Sequence, residues 1–169
     1  GLWQGEFWGK WVISAVRACR YTKDAELKEF LHEAALRLIG LQRDDGYIGT
    51  YKVSTNFFLP DPNTHSWNWN IWCRKYTLWG MLEAYGLLGD KEMLDSAIGM
   101  ADYLIAELES LGLEPGDTGT FNGLPSCSIM KPMLILYRYT ENKKYLDFCL
   151  KIADRWERVE IMPAIIANS

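Results

Sequence analysis

The segment at positions 67–90, WNWNIWCRKYTLWGMLEAYGLLGD, is apolar on two faces of a single helix. Trp72, Tyr76 and Trp79 follow one side at helical spacing, and Ile71, Leu78, Leu82 and Tyr85 follow the other. A helix with so little polar stripe is buried between neighbours. The segments that follow the apolar helices have one apolar and one charged face each, which suits an outer layer packed on an inner one.

Taken in order, residues 6–21 form a largely apolar helix built on Trp8, Trp11, Val12, Ala15, Val16 and Cys19. The next helix carries Leu27, Leu31, Ala34, Leu38 and Leu41 inside and Lys28, Glu29, Glu33 and Arg37 outside. It stops in QRDDGYIGTY, where Asp45-Gly46 is a turn pair and Tyr47, Ile48 and Tyr51 run briefly extended. Pro60 and Pro62 then forbid a regular helix in the loop 54–66. After the central helix, residues 91–111 are amphipathic, and the Gly- and Pro-rich stretch 112–126 is a loop longer than a plain connection needs. Residues 128–139 are a mostly apolar helix that accepts Pro132 only near its first turn, and 142–158 are its amphipathic partner. The last stretch, 159–169, has no helical periodicity.

Three junctions resemble one another: ACRYTKD at 18–24, AYGLLGD at 84–90 and LYRYTEN at 136–142. Each joins an inner helix to its outer partner by a short link, whereas long aromatic and glycine-rich loops lead back to the next inner helix. This internal repeat predicts an all-α fold of three helical hairpins, with its elaboration at one end, forming part of an α/α toroid.

Composition narrows the function. The chain has 169 residues, the size of one domain, and nearly half are apolar. Its formal charge of −4, with Lys and Arg scattered among Asp and Glu, shows no basic face in the sequence and excludes nucleic acid as the expected partner. No apolar run reaches the ~20 residues that span a bilayer. Eight Trp and nine Tyr fit either a stacking surface for neutral ligands such as sugars or a wide aromatic core. Cys19, Cys73, Cys127 and Cys149 lie far apart without ligand spacing, so no metal site is signalled. His32 and His65 are isolated. Glu6, Asp44, Asp45, Asp61 and Asp117 sit at the loop end, but their spacing selects no glycosidase-like pair. The chain opens at Gly1 without Met or leader and reads as a piece of a longer one.

Four motifs in order, WQGEFWGKW, QRDDGYIGTY, RKYTLWGMLEAYGLLGD and SCSIMKPMLILYRYTENKKYLDF, resemble glycoside hydrolase family 127, typified by β-L-arabinofuranosidases. The resemblance spans almost the whole chain. It implies a catalytic barrel of six helical hairpins, of which residues 1–169 form the first half as a single all-α domain. It also implies that a zinc-bound cysteine nucleophile and a glutamate acid/base come from the second half. No catalytic residue, metal ligand or cofactor is therefore expected in this chain, and none of its four cysteines takes the nucleophile's role. A half ring leaves two uncovered edges, so self-association is expected.

Carried over by residue, Gly46, Tyr47 and Thr50 match the family's DGYL-and-Thr loop, and Lys10-Trp11 matches its Lys-Trp pair. Tyr47 and Thr50 either present a ring and a hydroxyl at a pocket rim or anchor the loop. Trp72 and Tyr76 either line the pocket or pack the inner layer. Asn122 and Ser126 are polar groups of the long loop, where Ser126 or Ser128 is also a candidate helix cap. Tyr76 and Ser126 stand where the family has histidines, two departures that bear on specificity. The expected function is that of a glycoside hydrolase part that supplies pocket walls, with carbohydrate as partner. The alternative is a non-catalytic helical-hairpin module that binds carbohydrate or protein.

Overall fold

The computed structural model describes residues 2–52, 57, 68–158 and 160, and these are helical with irregular connections. The expected loop 54–66, with His65 and Asp61, and the aperiodic end 159–169 lie outside the described residues apart from Phe57 and Glu160. The main helices are α1 (Gln4–Thr22), α2 (Ala25–Ile39), α3 (Asn70–Leu88) and α4 (Lys91–Leu111). The short α5 (Leu124–Cys127) precedes α6 (Met130–Thr140) and α7 (Lys143–Glu157). The expected helix at 128–139 thus begins two residues later and is preceded by the extra turn of α5. Pro132 falls in the first turn of α6, where its missing N–H costs no helical bond. Residues 47–51 form no strand, because no neighbouring segment pairs with them among the described residues.

The repeat seen in the sequence is a repeat of geometry. Each inner helix ends on a left-handed residue, Lys23 (φ 60°), Gly89 (φ 72°) or Glu141 (φ 55°). The next residue, Asp24, Asp90 or Asn142, caps the outer helix by accepting the backbone N–H of Glu26, Glu92 or Lys144. In two of the three links a threonine reaches back one turn. Thr22 Oγ1 donates to the Ala18 carbonyl and Thr140 Oγ1 to the Leu136 carbonyl, each at 2.9 Å. Two residues suffice for the reversal, so each outer helix packs on its own inner helix.

The inner layer is α1 against α3 and α3 against α6, with α2, α4 and α7 outside. One core cluster joins the layers and includes Val16, Leu31, Leu82, Ala97, Leu104 and Leu136. The crossing of α1 over α3 is unusually close. A side chain at Gly9 would overlap the Tyr76 carbonyl, and one at Gly80 would lie 3.0 Å from the Gly9 Cα. Gly5 and Gly9, four residues apart, present one smooth stripe to α3. Outside the core, Phe7, Trp11 and Phe30 leave an exposed apolar edge along α1 and α2. No helix among the described residues is long and apolar enough to cross a membrane.

Candidate carbohydrate-binding face

Residues 72, 75, 76 and 79 of α3 share one face of the helix, since steps of three and four return to the same side. The rings of Trp72 and Tyr76 meet edge to face at 5.1 Å, and those of Tyr76 and Trp79 stack at 6.0 Å with an 18° tilt. Trp69 extends the row at 5.8 Å from Trp72, and it touches the rings of Trp3 at 5.3 Å and Phe121 at 6.0 Å. Trp72, Tyr76 and Trp79 are only half-buried and belong to no part of the hydrophobic core cluster. They are therefore rings held in order on a face that the outer helices do not cover.

Cations from three helices accompany the rings. Lys75 Nζ lies 3.5 Å from the Trp72 centroid and 3.9 Å from that of Tyr76. Lys10 of α1 stands 4.9 Å over Tyr76 while bonded to Glu6 at 2.6 Å, and Lys131 of α6 stands 4.0 Å over Trp79. Glu6 holds the Lys10 ammonium above the ordinary lysine value. Burial pushes Lys75 down to about 8, helped by the Lys10 charge and opposed by Glu6. At the far end of the row, Trp79 Nε1 donates to Glu83 at 3.1 Å.

The other residues expected at the site fall elsewhere. Thr50 lines a cavity of about 430 Å³ with Trp8, Ile48, Cys73, Arg74 and Thr77, between α1, α2 and α3, and its hydroxyl donates to the Leu2 carbonyl at 3.0 Å. Tyr47 is 5% exposed. Its ring packs at 5.2 Å from both the Tyr103 ring and the Arg74 guanidinium, and Arg74 pairs with Glu107 at 2.8 Å. Burial raises the Tyr47 phenol, whose O–H donates to the Tyr51 carbonyl. That ring is thus built into the contact between α3 and α4, away from the ring row. Asn122 is exposed in a left-handed turn beside Phe121. Ser126 is buried, with its Oγ donating to the Thr118 carbonyl and accepting from the Thr118 hydroxyl, both at 3.1 Å. Neither Ser126 nor Ser128 caps α6, which has no side-chain cap. The loop they belong to is clamped by Arg155, which pairs with Glu114 and Asp117 at 2.8 Å each.

Of the six expected residues, the structure brings together Trp72 and Tyr76. It adds Lys75, whose signal in the sequence is an ammonium between Trp72 and Tyr76 on a helix whose other charged residues are Arg74 and Glu83. Trp69 continues the same three-and-four spacing just before α3, whereas Trp3 and Lys131 join from other segments and no local spacing announces them.

The thiols are not arranged for chemistry. All four cysteines are buried, and burial pushes Cys73 up to about 11 and Cys149 up to about 12, away from the reactive thiolate. Among the described residues no group of three or more His, Cys, Asp or Glu gathers closely enough to hold a metal ion. Buried and dispersed, the four cysteines gather into no set among the described residues that would hold a zinc ion.

An inner layer of three helices, each backed by an outer one, with a row of aromatic rings along the central inner helix, defines a partial α/α toroid. Sequence comparison then gives the family: the model of the β-L-arabinofuranosidase GH127 catalytic domain matches residues 1–163, and the chain belongs to that family. The solved structure of a GH127 β-arabinofuranosidase superposes with a TM-score of 0.62 over 90% of this chain, at 21% identity. The chain covers 24% of that protein's length. No curated protein sequence matches it.

Proposed function

We propose that the chain is the N-terminal part of a glycoside hydrolase catalytic domain and that its task there is to hold the sugar, while the bond-breaking groups come from elsewhere in the domain. The observation that carries this reading is the row Trp69, Trp72, Tyr76 and Trp79, ordered ring against ring yet outside the core. Rings of this kind offer broad apolar faces to the C–H surface of a sugar while excluding water from it. Hydrolysis needs one group to protonate the leaving oxygen and another to attack or to activate water. On this face the carboxylates are already engaged, Glu6 by Lys10 and Glu83 by Trp79 and Arg20. The zinc-bound cysteine and the acid/base glutamate of the family pattern would be supplied by the rest of the domain, which would also cover the apolar edge at Phe7 and Trp11.

The experiment is a tryptophan-fluorescence titration of the purified chain with a panel of monosaccharides and methyl glycosides, L-arabinofuranosides included. Saturable binding that weakens in Trp72→Ala and Tyr76→Ala, with helicity unchanged, is expected. Binding unaffected by both substitutions, or no binding by any sugar, would contradict the proposal.

A further inference from the structure

The ring row holds more positive charge than the stacking of a neutral sugar uses. Lys75 is 5% exposed as a residue, but its Nζ is not among the fully enclosed polar atoms, so the stem is buried while the ammonium still opens onto the ring face. The other deeply buried cations each have carboxylates: Arg74 has Glu107, and Arg155 has Glu114 and Asp117. Lys75 has none, and among the described residues no oxygen accepts a hydrogen bond from it; its neighbours are the faces of Trp72 and Tyr76. A buried charge without a counter-charge is costly, and ring contacts offset only part of that cost. The charged groups around it do not cancel it. Glu6 on α1 is spent on Lys10, and α6 adds a second ammonium through Lys131.

We propose that this face binds a sugar carrying a carboxylate, with the sugar ring against Trp72, Tyr76 and Trp79 and the carboxylate on the Lys75 ammonium, assisted by Lys131. The inference rests on the glycan reading above and narrows it to acidic glycans. A single carboxylate matches the one ammonium on this face that belongs to a buried residue and has no bonded carboxylate among the described residues. A polyanion such as a nucleic-acid strand would also meet Glu6 and Glu83 on the same face of a chain whose net charge is −4. Because burial, Lys10 and Lys131 all oppose the charge on Lys75 and Glu6 and a bound carboxylate favour it, the preference for an acidic sugar fades as pH rises above about 8.

The test is a fluorescence titration of the chain with D-galacturonate, D-galactose and acetate, at pH 7 and at about pH 9.5. At pH 7 galacturonate should bind about tenfold or more tightly than galactose, the worth of one charge-assisted hydrogen bond. That preference, read as the ratio of the galacturonate to the galactose affinity, should shrink at the higher pH, fall to parity in Lys75→Met, and fall partially in the exposed Lys131→Gln. Equal affinity for the two sugars, an undiminished preference in Lys75→Met, or acetate binding as tightly as galacturonate would overturn the assignment and leave the glycan reading standing. Tighter binding of a single-stranded oligonucleotide would overturn it in favour of a nucleic-acid partner. Failure of both sugars would remove the glycan reading as well.

Discussion

Replacing Lys75 by Met should stabilise the chain at neutral pH, and the gain should vanish in alkali. The amine titrates at about 8 in the folded chain against an ordinary value of 10.5. At about 1.4 kcal/mol for each tenfold change in the protonation equilibrium, keeping this amine charged costs the fold about 3 kcal/mol at pH 7. Methionine keeps an unbranched, polarizable chain between the rings and carries no charge. The expected gain is therefore up to about 3 kcal/mol. Between about pH 8 and 10.5 the unfolded chain binds the proton and the folded chain does not. Wild-type stability gains from this group as pH rises through that window, and the advantage of the variant closes over the same range. Urea unfolding of both proteins at pH 7 and pH 10 measures the difference, with the other buried titrating groups common to both. A variant destabilised equally at both values would refute the reasoning, because it would mean that the charge is not burdened by its burial.

Three further outcomes follow from the packing. Gly9→Ala places a methyl group against the Tyr76 backbone, so α1 must lift off α3; the expected loss is about 3 kcal/mol, read as a lowered Tm, and an unchanged Tm would contradict the close crossing. Glu141→Gly relieves a left-handed residue at φ 55° and should stabilise by about 0.5–1 kcal/mol in denaturant titration, whereas the same change at the right-handed Tyr139 should destabilise. With Cys73 at about 11 and Cys149 at about 12, both buried, iodoacetamide at pH 8 should leave these thiols unlabelled until the chain unfolds; rapid labelling of either in the folded chain, followed by mass spectrometry, would contradict their placement.

The layering was legible because it is written in periodicity. The all-round apolar character of α3 marked it as central, and the shared YTKD and YTEN junctions marked two links whose Thr and Asx groups make the same bonds in both. The family resemblance read from four motifs agrees with the family whose model matches residues 1–163. The site was less legible, since side chains there are defined by what other segments bring. Ser126 reads as a polar loop residue until Thr118, eight positions earlier, folds back onto it. Tyr47 reads as a rim residue until Arg74 and Tyr103 close over its ring. The reading of scattered charge with no basic face missed a local gathering, because Lys10, Lys75 and Lys131 converge from three helices. The role of Gly5 and Gly9 was equally hidden: only the approach of α3 shows that a side chain there has no room.

The most direct measurement of the central claim is a crystal structure of the chain with a bound monosaccharide glycoside. The account predicts the sugar ring against Trp72, Tyr76 and Trp79, with the Lys75 ammonium facing its polar edge. A sugar seated instead in the Thr50-lined cavity between α1, α2 and α3, or on the outer helices with the ring row empty, would contradict it.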